Sequence, residues 1–226
     1  MNLSMYANLQ NKLNSMKGGT KIGEFLLIGL FGMFTLAGLV GLFSGGGIGA
    51  AIVAVIFGIV TVVFIKAIPK EKKEGLESWS RLDAVEMSRI DAEAMSAPAF
   101  GNALITSDAI IIKRGQGPFA LAAKDILWIY GKTVTHKLYG VIPTGKDYSI
   151  QVLSRNGGTS TLPSPNARKN RKEQNPMQED ILTLANILKP RHPGIILGFN
   201  QQIQAMASRN IGELAQIVDA ANAKKQ

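Results

Sequence analysis

The sequence predicts an α+β membrane protein, with an N-terminal transmembrane helical hairpin followed by a small antiparallel β-barrel or sandwich closed by C-terminal helices. Residues 25–43 and 48–65 are two runs without a charged side chain, separated by a glycine-rich segment. Each run is long enough for one helical crossing of a bilayer, which needs about 20 apolar residues. From residue 99 onward, short stretches rich in β-branched and aromatic residues alternate with turn residues, which is typical of strands.

These patterns divide the chain into five segments. Residues 1–24 form an N-terminal amphipathic segment, residues 25–68 the hairpin, and residues 69–97 a linker helix. Residues 98–190 form the β domain with its closing helix, and residues 191–226 form a C-terminal helical extension.

The distribution of charge predicts the topology in the membrane. Lysines flank the two apolar runs, and the segment between the runs carries no charge. By the positive-inside tendency, both termini are expected in the cytoplasm of a protein that crosses the inner (plasma) membrane twice. The sequence contains no cysteine, which excludes a disulfide scaffold. A signal peptide is disfavoured because the first run is too long and a second run follows at once.

The N-terminal segment carries apolar residues at helical spacing. Tyr6, Leu9, Leu13 and Met16 follow one another at intervals of three and four residues. Two interpretations stay open: a helix lying on the cytoplasmic leaflet, and a helix packed on its own protein.

The second apolar run carries a stripe of small residues. Ala50, Ala54 and Gly58 recur every four residues, a spacing that lets two helix backbones approach closely. We expect this stripe to pack on the first run, with homo-oligomerisation as the alternative. Neither run contains an ionisable residue, so no proton relay or ion pathway is predicted there.

A single linker helix is predicted over residues 75–96, ended by Pro98. In it Asp83 and Glu86 are expected to form weak surface pairs with neighbouring side chains. Lysines at residues 66–73 precede this helix and are expected to attract anionic headgroups.

The β domain is predicted as six or seven short antiparallel strands. The turn between the two longest ones is placed at residues 143–146, where proline and glycine occur together. Strands are predicted at residues 103–106, 109–114, 119–122, 126–135, 148–153 and 159–162.

Three helices are predicted after the strands. The first begins at Asn175 and Pro176, a cap residue followed by proline in the first turn. The others cover about residues 198–207 and 211–221, and Asn210 with Glu213 predicts the cap of the last one.

Several stretches of this region resemble a known fold. Residues 104–111 (LITSDAII) and residues 125–130 (DILWIY), with residues 148–150 (YSI) and 197–199 (LGF), are similar to the pleckstrin-homology-like domain of an uncharacterised family of bacterial membrane-anchored proteins. The resemblance covers about half of the chain, and its motifs are structural. It implies a fold of short strands closed by an amphipathic helix, and it carries no catalytic signature.

The sequence predicts no catalytic, metal or cofactor site. Residues 131–133 (GKT) match the end of a phosphate-binding loop, but Ile126 stands where that loop needs its first glycine. His136 and His192 lie far apart in sequence and outside metal-ligand spacing. An enzyme is therefore not expected.

Basic residues are the candidate binding residues. We expect a non-enzymatic binding module that recognises a protein partner or anionic lipid. The alternative is an accessory subunit of a larger membrane complex, assembled through the hairpin. Nucleic acid is disfavoured because aromatic residues do not alternate with the basic ones. A merely solvated surface is the other interpretation of the basic set, which comprises Lys113, Arg114, Lys132, Lys137, Lys146, Arg168, Lys169, Arg171 and Lys172.

Overall fold

The computed structural model describes residues 5–16, 21–45, 47–115, 117–139, 141–167 and 176–224. The helices in these ranges are α1 (Ala7–Ser15), α2 (Lys21–Phe43), α3 (Gly47–Trp79), α4 (Ala84–Ala94), α5 (Gln178–Leu188), α6 (Gln201–Arg209) and α7 (Ile211–Ala223). The strands are β1 (Ala99–Phe100), β2 (Ala103–Ile105), β3 (Ala109–Arg114), β4 (Gly117–Ala122), β5 (Ile126–Leu138), β6 (Ile142–Ser154), β7 (Thr159–Pro163) and β8 (Ile196–Leu197).

The predicted transmembrane hairpin is wrong. A bilayer crossing needs about 20 consecutive apolar residues in one helix. Within the described ranges, no helix combines that length with a sufficiently apolar composition. Three expectations are therefore wrong as well: two membrane spans, a multi-pass location in the inner membrane, and cytoplasmic termini on either side of those spans.

The predicted linker helix is two helices. α3 runs through Pro69 as far as Trp79, so the second apolar run and the start of the linker belong to one helix. A new helix then starts at a capping box, in which Asp83 Oδ1 accepts from the N–H of Glu86 (2.7 Å) and Glu86 Oε2 accepts from the N–H of Asp83 (2.8 Å). The capping box of Asp83 and Glu86 thus marks the start of α4 as a helix separate from α3.

The strands form two open sheets, and the predicted closed barrel is wrong. In sheet A the order is β1-β2-β3-β4, with every neighbouring pair antiparallel. In sheet B the order is β7-β6-β5-β8, and β8 pairs with β5 in parallel. Both sheets therefore keep free edges.

Side chains of α3 explain why the edge of β4 is not joined to β7. Ser78 Oγ accepts a hydrogen bond from the N–H of Ala120 (2.9 Å), and Trp79 Nε1 donates to the carbonyl of Pro118 (2.8 Å). These bonds satisfy backbone groups that another strand would otherwise bind. A polar cleft of about 320 Å³ lies between residues 119–122 of β4 and residues 158–160 at the start of β7.

The core of the fold has three layers of apolar side chains. The central layer lies between the inner faces of the two sheets and is closed by α5, with Ile110, Ile129, Ile150 and Leu184 fully buried. Because strand side chains alternate between faces, each sheet also needs a cover on its outer face. α1, α4 and the end of α3 cover sheet A, while α6 and α7 cover sheet B.

The N-terminal helix packs on its own protein. Leu9, Leu13 and Met16 are buried against α4 and the outer face of sheet A. The backbone N–H of Leu9 donates to Asp91 Oδ1 (2.8 Å), which fixes α1 on α4.

β5 and β6 form a ribbon that is longer than either neighbouring strand. Each has 13 residues, and they pair from Ile126↔Ser154 out to Leu138↔Ile142. The turn predicted at residues 143–146 is wrong, because Pro143 lies within β6 opposite Lys137, next to a register irregularity that accommodates a proline. The ribbon reverses instead near Tyr139, whose φ is 51°.

Candidate functional site

The predicted basic residues do not form one patch. Lys113 lies on β3, and its Nζ donates to the carbonyl of Met16 (2.8 Å). The Arg114 guanidinium lies 4.0 Å from the centroid of the Phe119 ring and 3.9 Å from Glu74 Oε2. These two side chains of sheet A are used for packing within the chain.

Lys132, Lys137 and Lys146 lie on the β5–β6 ribbon of sheet B and are exposed. In the described part of the chain none of the three makes an ion pair. Asp147 is the single acidic residue between residues 130 and 148, and its Oδ2 lies 2.6 Å from His136 Nε2. The ribbon therefore presents a positive charge that its own carboxylate leaves uncompensated.

The other predicted basic residues, Arg168, Lys169, Arg171 and Lys172, lie outside the described residues.

The predicted helix-packing residues lie between α2 and α3. A Cβ on Gly38 would be 2.7 Å from the backbone N of Ala54, and a Cβ on Gly41 would be 3.1 Å from the Cβ of Ala50. Gly58 lies against Thr35 in the same way, at 3.6 Å. The backbones of the two helices thus approach most closely at the Gly38–Ala54 level.

The free edge of β5 is the feature that marks a candidate binding site. β8 pairs with only Trp128 and Ile129 of β5, and the N–H of Gly198 donates to the carbonyl of Ile129 (2.8 Å). Peptide groups alternate in direction along a strand, so the backbone groups of Gly131 and Thr133 point to the same side as those of Ile129. Among the described residues, no strand pairs with this edge beyond Ile129.

An apolar groove runs along this edge. Its volume is about 720 Å³, and it lies between β5, the start of α5 and the segment that follows β8. A Cβ on Gly131 would lie 2.8 Å from Met177 Cε, so the absence of a side chain at Gly131 lets Met177 approach the strand. Among the described residues no charged side chain lines the groove, and the lining residues are Gly131, Thr133, Pro176, Met177, Gln178, Ile181, Leu182, Leu197, Gly198 and Phe199.

Three aromatic side chains hold the segment after β8 beside the groove. The rings of Trp128 and Tyr130 are stacked with centroids 4.0 Å apart, and Phe199 lies 6.2 Å from Trp128 and 6.1 Å from Tyr130. Trp128 Nε1 also donates to the carbonyl of Gly198 (2.7 Å). Phe199 itself remains 56% exposed, which leaves an aromatic face available at the rim of the groove.

The other wall of the groove is fixed by a buried carboxylate in the first turn of α5. Asp180 is fully buried and accepts hydrogen bonds from Ser164 Oγ, from the N–H of Asn166 (3.1 Å) and from Asn166 Nδ2 (2.8 Å). The start of α5 is thereby fastened to the loop after β7.

A second cluster of charged groups lies where α4 meets the turn between β2 and β3. Asp108 accepts from Arg89 Nε at Oδ2 (2.7 Å) and from Arg89 Nη2 at Oδ1 (3.1 Å). Arg191 Nη1 lies 3.6 Å from the same Oδ1. Burial lowers the pKa of the neighbouring His192, an effect that Asp108 and Glu86 partly oppose. Its Nε2 is buried and has no hydrogen-bond partner among the described groups.

The candidate features of the described residues lie at the edge of sheet B, and none of them is a metal centre. No group of three or more histidine, aspartate or glutamate side chains in the described ranges is close enough to hold a metal ion. The edge, the groove and the ribbon lysines instead lie together at one end of sheet B.

Sequence reasoning missed most residues of the groove. It considered residues 131–133 as a phosphate loop, which it excluded, and it named Lys132 as one of the basic residues. It assigned no binding role to Met177, Leu182 or Phe199. One signal was available in the sequence: Phe199 is a large apolar side chain followed by the polar residues Asn200, Gln201 and Gln202, and it is more than half exposed.

Comparison with known proteins gives no relative from which a function could be transferred. The sequence matches no family model, and neither the curated proteins nor the solved structures provide a significant match.

Proposed function

We propose that the chain is a non-enzymatic binding module that recognises a protein partner, and that the partner adds an extended segment to the free edge of β5. One observation carries this proposal: the backbone N–H and C=O groups of Gly131 and Thr133 point away from β6. They lie on the side of β5 where β8 pairs with Trp128 and Ile129. Exposed strand edges of this kind are templates for another strand.

The groove supplies what an added strand needs besides hydrogen bonds. Alternate side chains of an added strand point to one face, and on the inner face they would meet Met177, Ile181 and Leu182. Main-chain hydrogen bonds give such a site its affinity, and pockets for alternate side chains give it specificity. A volume of about 720 Å³ is large enough for several side chains of ordinary size.

The groove is also built on rigid elements. Asp180 fixes the start of α5 through buried hydrogen bonds, and Gly198 is fixed by Trp128 on the opposite side. Because neither wall has to be ordered on binding, little conformational entropy is lost from the module itself.

The experiment is a selection of random eight-residue peptides against the full chain, followed by affinity measurements with two variants. Thr133→Pro removes the outward N–H and leaves the β5–β6 pairing intact, since that N–H does not face β6. Thr133→Val keeps the backbone donor and nearly the same side-chain shape. Selected peptides should bind wild type and Thr133→Val alike, and Thr133→Pro at least about tenfold more weakly. Equal binding to the proline and valine variants would place the site elsewhere.

A second candidate is a structural subunit that assembles through α2 and α3. It is favoured by one observation: large apolar side chains point outward along both helices, among them Leu36, Val40, Ile52 and Val55. Contiguous apolar surface of this kind marks interaction sites. Val40→Asp and Val55→Asp should then shift the chain to a smaller assembly in size-exclusion chromatography while peptide binding at β5 is unchanged.

A further inference from the structure

We propose that the tip of the β5–β6 ribbon binds the surface of a bilayer that contains anionic phospholipid. The tip comprises Leu138, Tyr139, Val141 and Ile142, which lie beyond the part of β5 proposed to bind a strand. The inference therefore goes beyond the proposed function and does not depend on it. It requires only that a turn enters one leaflet, and no helix has to cross the bilayer.

The outer part of the ribbon is exposed on both of its faces. Successive residues of a strand point to opposite faces. All residues from Lys132 to Leu138 are exposed, and so are residues 144–147 of β6. Lys132 and Leu138 are six positions apart, which is about 20 Å along a strand. Within the described ranges, the outer part of the ribbon thus extends from sheet B as an uncovered arm, residues 132–147.

The tip of the arm is apolar, although turns are usually formed by glycine, proline and small polar residues. Its four large side chains are all at least half exposed, and the exposed fraction reaches 88% for Tyr139 and 77% for Val141. The N–H of Val141 donates to the carbonyl of Leu138 (3.2 Å), which closes the turn. The arm therefore ends in a defined turn whose apolar side chains are in contact with water.

Two lysines lie just behind the tip. Lys137 directly precedes Leu138, and Lys146 is paired with Thr135, which is three positions or about 10 Å behind Leu138. The apolar side of an interfacial segment is buried about 5–10 Å into the boundary between headgroups and acyl chains. With the tip at that depth, both ammonium groups reach the level of the phosphates, whichever face of the ribbon they lie on.

The charge of the arm has the sign that an anionic surface requires. Residues 132–147 contain three lysines and one aspartate, a net charge of +2 with His136 neutral. The aspartate, Asp147, lies 2.6 Å from His136 Nε2. A lysine close to an anionic leaflet strengthens binding about fivefold. Tyr139 adds an aromatic ring with a polar hydroxyl, a residue type that is enriched at membrane–water interfaces.

A lipid surface fits the tip better than a protein or a nucleic acid does. A stable protein interface has about 20–30 residues on each side, whereas the tip offers four apolar side chains on a protruding turn. A nucleic-acid backbone would contact Lys137 and Lys146 but would leave Leu138 and Ile142 in water. A bilayer accepts apolar and basic groups together, at different depths. A protein partner is therefore the outcome against which the inference is tested.

The first experiment measures co-sedimentation of the full chain with vesicles. Binding to an equal mixture of phosphatidylglycerol and phosphatidylcholine should be at least about tenfold tighter than binding to phosphatidylcholine alone. The tip variant, Tyr139→Asn with Val141→Thr, makes the turn more polar and keeps at position 139 a residue that tolerates a positive φ. It should bind the mixture at least about tenfold more weakly than wild type. Val85→Thr is the matched control, since Val85 is 62% exposed on α4, and it should bind as wild type does.

The second experiment separates the arm from the charge of the whole chain. Lys137→Gln with Lys146→Gln should weaken binding to the mixture at least about tenfold and leave binding to phosphatidylcholine unchanged. Lys66→Gln with Lys72→Gln is the control of equal charge, because both lysines are exposed on α3. It should keep the wild-type affinity. Equal losses in the two double variants would show that only the net charge matters and would overturn the inference.

A fluorescent label reports the insertion itself. The sequence contains no cysteine, so Val141→Cys provides a single thiol for an environment-sensitive dye. Its emission should shift to shorter wavelength with the mixed vesicles, whereas the same dye attached to Val85→Cys should not respond. An unchanged emission at residue 141, or an equal shift at residue 85, excludes insertion of the tip.

The outcomes distinguish the tip from the β5 edge. The tip variant should bind the selected peptides as tightly as wild type, and Thr133→Pro should bind vesicles as wild type does. If Thr133→Pro does not weaken the peptides, the proposed function fails and the lipid-binding inference stands. If the tip variant loses the peptides and keeps the vesicles, the tip is a protein-binding surface and the inference fails.

Discussion

The backbone N–H of Gly194 donates a hydrogen bond of 2.7 Å to Oδ1 of Asn222, which fastens α7 to the segment just before β8. The contact is close enough that no side chain fits at Gly194, where a Cβ would lie 2.1 Å from the carbonyl oxygen of Val218. Since α7 covers the outer face of sheet B, this contact helps to hold the third layer of the fold in place.

Gly194→Ala should therefore lower the free energy of unfolding by about 1–3 kcal/mol or more, because the backbone carbonyl of Val218 cannot move aside as a flexible side chain can. Asn222→Ala should cost about 1–3 kcal/mol by leaving a buried N–H without a partner. Thermal unfolding measures both. Gly49→Ala is the control: nothing lies within 4 Å of a Cβ there, so alanine in this helix should not lower the midpoint. An unchanged midpoint for Gly194→Ala would contradict the close packing.

Replacement of the buried carboxylate at the start of α5 should also be costly. Asp180→Ala removes the acceptor of three hydrogen bonds from Ser164 and Asn166, and we expect a loss of about 3 kcal/mol in the free energy of unfolding. Glu179→Ala, one residue earlier and exposed, should change it by less than about 0.5 kcal/mol. Urea unfolding of the two variants makes the comparison, and similar losses would show that the hydrogen bonds of Asp180 contribute little.

The hydrogen bonding of the β4 edge should depend on the hydroxyl of Ser78 in α3. Ser78→Ala leaves the buried N–H of Ala120 without its acceptor and should cost about 1–3 kcal/mol. Ser80, just after α3, is exposed and its hydroxyl bonds only the carbonyl of Glu77 in the last turn of that helix, so Ser80→Ala should be nearly neutral. Hydrogen exchange at Ala120 should accelerate in the first variant and not in the second.

Stability should fall as the pH is lowered through the range where histidine titrates. Burial holds the pKa of His192 below the ordinary value of a histidine side chain, about 6.5, so the unfolded chain binds a proton more readily than the folded chain does. The stabilising contribution is complete above about pH 6.5 and is lost as the pH falls towards the lowered pKa. Thermal midpoints measured from pH 7.5 to 5.5 report the loss.

The variant His192→Leu should flatten this dependence, because it removes the titrating group. His136→Gln removes the other histidine of the sequence, an exposed one, and should keep the wild-type slope. The groups that face His192 and modulate its titration are Asp108, Glu86, Arg191 and Lys124. A pH dependence that survives in His192→Leu would show that His192 is not its cause.

Local patterns predicted those elements whose cause is local. The β-branched run at residues 109–114 is confirmed as β3, and the cap at Asn210 is confirmed by the bond from the N–H of Gly212 to its Oδ1 (3.0 Å). The same kind of signal was present at Asp83 and Glu86, where aspartate and glutamate three residues apart form a capping box that interrupts the predicted linker helix.

The misses have causes that lie far away in the sequence. β8 has two residues and pairs with β5 some 68 positions earlier, which is too short a strand for any periodicity to show. The openness of sheet A depends on Ser78, a side chain of a helix 42 positions before its partner. The groove joins three separate segments of the chain, within residues 131–133, 176–182 and 197–199, which no local pattern connects. The ribbon lysines were predicted as basic residues, but the sequence could not separate them from Lys113 and Arg114, which pack within sheet A.

The two ends of the α2–α3 hairpin are held by one cross-strand pair. Before α2, the carbonyl of Met16 binds Lys113, and at the end of α3, Trp79 binds the carbonyl of Pro118, while Lys113 and Pro118 are opposed in β3 and β4. A mechanical force on α2 and α3 would thus be transmitted to β3 and β4, two adjacent strands of sheet A that are joined by backbone hydrogen bonds. The β5 edge belongs to sheet B and takes no part in this pair.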